Sequence, residues 1–182
     1  MTARRALMIG WLVCICGLHG SRVASAQCLP DVYLTIGYQD RGLPVSRPGR
    51  ADASAVPEIH RMTEAQILSV PTTVLDTGTN WTPVSRFEGP RLHDVLRPYL
   101  GDGRAATAIL KVTALNGYSV TIPVADLERY DPVLAHTRDG VRMRRSEFGP
   151  LFLVYPRDRH RELRAPNMAA RMVWQVCRID VE

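Results

Sequence analysis

The sequence predicts a β-rich α+β fold, with mixed sheets and short helices inserted between strands. Three observations carry this expectation. Short runs with apolar alternation at a period of two recur along the chain; helical spacing is confined to brief stretches; and Gly-, Pro-, Asn- and Asp-rich turn signals separate the runs. The regular strand–helix alternation of a doubly wound parallel sheet is not what this pattern gives.

The run 32–36 alternates like a strand, and the Gly-, Pro-, Ser- and Arg-rich stretch 40–53 reads as a loop. Thr63-Glu64-Ala65-Gln66 has the form of a capping box, which predicts a short helix ending before Pro71. Residues 72–76 read as a strand running into a polar loop, 77–82, around Trp81. Phe87-Glu88-Gly89-Pro90 then introduces a helix with Leu92, Val95 and Leu96 on one face, stopped by Gly101 and Gly103.

The runs 109–115 and 118–122 are joined by Asn116-Gly117, the strongest short-range hairpin signal, in which both turn residues are expected at positive φ. Leu110, Val112 and Ala114 share one face of the first strand, and Tyr118, Val120 and Ile122 one face of the second. A short helix is expected over 124–129, and a second hairpin with 133–137 and 141–143 flanking Arg138-Asp139-Gly140. Residues 151–155 read as a buried strand, 157–171 as irregular with a helical turn, and 172–181 as a last strand with Val173, Cys177, Ile179 and Val181 on one face.

The first residues bear on compartment. Arg4 and Arg5 precede an apolar run, 6–17, and Ala24-Ser25-Ala26 has the small-x-small form that signal peptidase reads. The expected signal peptide is 1–26, leaving a single domain, 27–182, whose first part, 27–60, is loop-rich. The apolar run is shorter than the roughly 20 residues of a membrane span, so the cleaved product is not expected to be an integral membrane protein. Arg4-Arg5 is a weak twin-arginine signal and fits the general secretory route better. The expected location is exported, periplasmic or secreted.

Removing 1–26 takes three arginines and no acidic residue, which leaves 20 basic against 18 acidic groups, a charge of +2. So near-neutral a domain lacks the electrostatic footprint of a nucleic-acid binder. Cys28 and Cys177 remain, and in an oxidising compartment an isolated pair most simply forms a disulfide.

Catalytic patterns are few. Gly-x-Ser-x-Gly, His-Glu-x-x-His and phosphate-binding Gly-rich loops are absent, and His60, His93, His136 and His160 have no ligand-like spacing, so no metal ligand is assigned. The chain has 22 arginines and one lysine, with clusters at Arg138 to Arg145 and Arg157 to Arg164. These either hold an anion or form a solvated face with Asp139, Asp158 and Glu162 as partners. Arg171 stands apart, beside an apolar run where a charge needs a partner. Trp81, Tyr118, Tyr155 and Trp174 are either core aromatics or pocket walls.

Several ordered pieces resemble the oxidoreductase molybdopterin-binding domain family, the domain also found in sulfite oxidases. They are Phe87-Glu88-Gly89-Pro90 with Leu92 and Asp94-Val95-Leu96; the stretch from Ala114 to Val120 with Ile122-Pro123; Gly149-Pro150-Leu151-Phe152 with Tyr155-Pro156; and Glu162-Leu163-Arg164 followed by Arg171 and Trp174-Gln175. The resemblance spans 64–181 and implies a mixed α+β fold with a molybdopterin cofactor in a cleft. It implies Thr77, Trp81, Asn116, Tyr118, Arg164 and Arg171 as cofactor-side residues. Members that bind molybdenum carry a cysteine about four residues before a loop tryptophan. Trp81 in that role puts Thr77 in the ligand position, a hydroxyl where a thiolate is needed. Two functions follow as expectations. One is a non-catalytic binding module for a small anionic ligand, or for an exported or membrane protein partner. The other is a pterin-dependent oxidoreductase with an atypical metal site.

Overall fold

The computed structural model describes residues 28–29, 32–38, 58–100 and 107–182. The expected leader, the loop 40–53 and the helix stop at Gly101 and Gly103 lie outside the described residues. The domain is a β-rich α+β unit with mixed sheets and a few short helices.

The chain enters β1, Leu34–Tyr38, and β2, Glu58–Met62. Helix α1, Glu64–Ser69, follows. Its capping box forms: Gln66 N–H donates to Thr63 Oγ1 at 3.3 Å, and Thr63 N–H donates to Gln66 Oε1 at 2.8 Å. Next come β3, Thr72–Thr77, and β4, Ser85–Pro90, paired antiparallel across the 78–84 loop. Phe87 to Pro90 thus ends a strand that the sequence did not mark, and the expected helix follows it at Leu92. Phe87 is fully buried, and Pro90 ends β4 beyond its pairing with the next neighbour, so its missing N–H breaks no ladder bond on that side. Helix α2, Leu92–Leu100, buries Leu92, Val95, Leu96 and Leu100 on one face.

Strands β5, Ile109–Ala114, and β6, Ser119–Pro123, form the expected hairpin with a different turn. Only Gly117 has positive φ, +84°; its N–H donates to Ala114 O at 3.0 Å, and Ala114 N–H donates to Tyr118 O at 2.8 Å. This is a three-residue loop closed by a left-handed glycine, in which Asn116 needs no positive φ. Helix α3, Ala125–Tyr130, leads to β7, Val133–Ala135, then β8, Thr137–Arg138, and β9, Val141–Arg142. In that last hairpin both turn residues do adopt positive φ, Asp139 at 51° and Gly140 at 77°. Strand β10, Phe152–Val154, is fully buried. A 3₁₀ turn, Arg161–Arg164, and α4, Pro166–Ala169, fill the irregular stretch before β11, Val176–Val181.

Five strands form the largest sheet, in the order β2-β1-β11-β5-β6. The pair β1–β11 is parallel and the other pairs are antiparallel. The second sheet is β3-β4-β8-β9 and the third pairs β10 with β7. A single cluster of buried apolar residues draws on all three, with Ile36, Leu110, Val112 and Ile179 from the first, Leu75 and Phe87 from the second, and Leu134 and Leu153 from the third.

The last strand departs from simple alternation. Val176 lies opposite Ala114 and Ile179 opposite Val112, with a register shift between Val176 and Arg178. This bulge takes Cys177 off the expected face, on which Ile179 and Val181 remain, and brings Val176 onto it instead. Cys177 is bonded to Cys28 with 5.6 Å between the Cα atoms. Among the described residues no helix is long and apolar enough to cross a membrane.

Candidate functional site

A cavity of about 420 Å³ opens where four parts of the chain meet: the 78–84 loop, the β5–β6 turn, α4, and the segment 172–174 leading into β11. The loop contributes Asn80 and Trp81. Its shape is held by threonines: Trp81 N–H and Thr82 N–H donate to Thr79 Oγ1 at 3.1 and 3.0 Å, and the Thr79 and Thr82 hydroxyls meet at 2.9 Å. Trp81 is 48 % exposed, and its ring meets Phe152 edge-on at 6.1 Å between centroids. Half exposed and backed by the core, it forms a wall with one face open.

The opposite wall comes from the β5–β6 turn. Asn116 Oδ1 accepts from Tyr118 N–H at 3.0 Å, and the Tyr118 hydroxyl donates to Ala170 O at 3.1 Å. Tyr118 therefore ties the turn to α4 while its ring remains 46 % exposed. Trp174 reaches the same cavity through an unusual backbone. Gln175 has φ +57°, costly for a side chain with a Cβ, and is pinned on several sides. Its N–H donates to Phe148 O, its carbonyl accepts from Leu115 N–H at 3.0 Å, and its amide donates to Arg145 O. The kink lets Trp174 line the cavity while Val176 joins the sheet.

Behind the cavity wall lies a buried ionic centre. Arg171, between the lining residues Ala170 and Met172, donates from Nη1 to Asp126 Oδ2, and the Tyr155 hydroxyl donates to the same oxygen at 2.9 Å. Asp126 is 6 % exposed and Tyr155 fully buried. Burial, then the neighbouring Asp126 carboxylate, holds the Tyr155 phenol well above its usual range, so it remains a donor.

The six residues marked by the sequence fall into three groups. Trp81, Asn116 and Tyr118 line the cavity together. Thr77 and Arg164 converge on Asp158 instead: Thr77 is fully buried with Oγ1 3.3 Å from Asp158 Oδ2, Gly78 N–H donates to that oxygen at 2.6 Å, and Arg164 reaches the other oxygen at 3.9 Å. Arg171 is committed to Asp126. Sequence reading did not single out Asp126, Met172 or Ala170. Asp126 carries no local signal beyond its place in the first turn of α3, and α4 falls in the stretch 157–171 that reads as irregular with a helical turn. In the arginine clusters, Arg138 lies beside Asp139, Arg142 is bonded to Glu64 and Arg164 faces Asp158.

No protein-family model matches the chain, and no curated protein does.

Proposed function

We propose that this chain is an exported, non-catalytic binding module on a fold of the sulfite-oxidase molybdopterin-domain type, and that it holds a small molecule in the cavity beside Trp81 and Tyr118. The observation that carries the reading is the division of the candidate residues. The aromatic and carboxamide groups meet at an open cavity, whereas Thr77 is buried against Asp158. Concave, largely apolar sites with a few convergent polar groups are where small ligands bind.

Molybdenum does not fit the residues present. Thr77 offers a hard hydroxyl that is already hydrogen-bonded, and the two cysteines of the domain are bonded to each other, so neither supplies a thiolate. The chemistry proposed is therefore binding alone. Export is supported by the leader pattern in 1–26 and by the disulfide, a bond that persists in oxidising compartments.

The test is elemental analysis with pterin fluorescence on protein from the exported fraction of a cofactor-competent host. The expected result is neither molybdenum nor pterin at stoichiometric level, in the natural protein or in Thr77→Cys. Stoichiometric molybdenum and pterin in the natural protein would restore the oxidoreductase reading.

A further inference from the structure

We infer that the ligand is an uncharged, planar heteroaromatic ring with its hydrogen-bonding groups along one edge, an inference that rests on the cavity being the binding site. Among the described residues, the lining contains no Arg, Lys, Asp or Glu. An ionised ligand would give up part of its hydration there without meeting a counter-charge, which is unfavourable. Arg171 flanks the wall in sequence, but its guanidinium is held by Asp126.

The polar groups are also few. Asn80 and Asn116 supply carboxamides, and Asn116 spends its oxygen on Tyr118 N–H, leaving its NH₂ to donate. Ala114, Ala169, Met172 and Val173 make the rest of the lining largely apolar. A sugar, with hydroxyls around its whole rim, would give up more hydrogen bonds to water than two carboxamides and the indole N–H groups of Trp81 and Trp174 restore. A flat ring asks for a face to stack on and one polar edge. Trp81, Tyr118 and Trp174 offer the face, and the carboxamides meet the edge.

The two tryptophans are also set in advance. Trp81 leans on Phe152 at 6.1 Å and Trp174 on Phe148 at 6.4 Å, while Phe148 and Phe152 stack at 5.3 Å and 13°. Walls backed by a packed aromatic cluster lose little freedom when a ligand arrives.

The experiment titrates three probes into the full exported protein: adenosine, adenosine monophosphate and methyl glucoside. Tryptophan fluorescence and calorimetry are read for the natural protein, Tyr118→Ala, Tyr118→Phe and Asn116→Ala. Adenosine is expected to bind, with affinity about ten-fold or more weaker in Tyr118→Ala and retained in Tyr118→Phe, which keeps the ring. The monophosphate is expected to bind no tighter than adenosine. A monophosphate bound about ten-fold tighter, or methyl glucoside bound where adenosine is not, with loss in Tyr118→Ala, would overturn the ligand class and leave the cavity as the site. Binding of no probe would likewise overturn the ring, with the parent reading still judged by metal and pterin content. Binding indifferent to all three substitutions would overturn the ring and the cavity together.

Discussion

The guanidinium of Arg171 ends on the carboxylate of Asp126, and that carboxylate is almost wholly enclosed by protein. Removing one partner of a buried pair leaves the other charge uncompensated, at a cost of about 3–5 kcal/mol. Asp126→Ala and Arg171→Ala are each expected to lose stability in that range, read as a lower urea midpoint at unchanged slope. Tyr155→Phe, which removes a neutral donor to the same oxygen, should lose about 1–3 kcal/mol.

His136 makes stability depend on pH. Burial, and then the Arg142 charge, lowers its pKa below 6.5, with Glu88 and Glu64 opposing more weakly. Its Nδ1 meets Thr137 Oγ1 at 2.9 Å, while Nε2 is buried without a hydrogen-bond partner among the described residues. The folded state therefore holds the imidazole neutral, and the unfolded state takes up the proton first. This contribution is complete above about pH 6.5 and is lost as pH falls through the folded value. Denaturation curves at pH 7.5 and 5 should show a loss of stability at the lower pH that His136→Leu reduces.

The disulfide joins residues 149 positions apart. A loop of that length corresponds to about 4–5 kcal/mol in the chain-entropy model, and loss of such bonds typically costs about 2–5 kcal/mol. The double variant Cys28→Ser/Cys177→Ser is expected to melt well below the natural protein. The natural protein in a strong reductant should melt near the same temperature as the variant.

Gly89 sits where β4 passes β7. A Cβ built there would lie 2.3 Å from Leu134 O and 2.7 Å from Ala135 Cα, both backbone atoms that cannot swing aside. Gly89→Ala is expected to cost at least about 2 kcal/mol through overpacking. Gly117→Ala meets no atom within 4 Å and should cost only the roughly 1–2 kcal/mol of a left-handed alanine. Parallel unfolding curves of the two variants would separate steric from conformational cost.

Local chemistry was legible in the sequence wherever the structure is itself local. Thr63 and Gln66 sit three residues apart, so their reciprocal bonds could be read directly. The two hairpins follow from turn residues between alternating runs, although Asn116 was assigned the wrong φ because Asn-Gly serves two turn geometries. Strand β4 was missed altogether, since Gly89-Pro90 signals a break and only the approach of β7 explains the glycine. The bulge at Cys177 depends on register with β5, which no single segment encodes.

The cavity was legible in part for the same reason. Trp81 and Tyr118 stood out as aromatics with a polar edge and Arg171 as a charge beside an apolar run, whereas Asn116 was marked only through the family resemblance. The carboxylate that receives Arg171 lies 45 positions earlier in the chain, so its role exists only after folding. Thr77 was aligned through its distance from Trp81, a spacing that says nothing of the Asp158 carboxylate arriving from 81 positions away.

The parallel pairing of β1 with β11 has a consequence for the timing of assembly. Strand β11, the latest of the five in chain order, occupies the middle of the sheet, with β1 on one side and β5 on the other. Before β11 is made, a growing chain has the β1–β2 and β5–β6 ribbons of this sheet without the strand that pairs with both. Ribbons of two strands are marginally stable in water, so the unfinished chain stays extensible. The two ribbons of this sheet become one body only when β11 arrives between them.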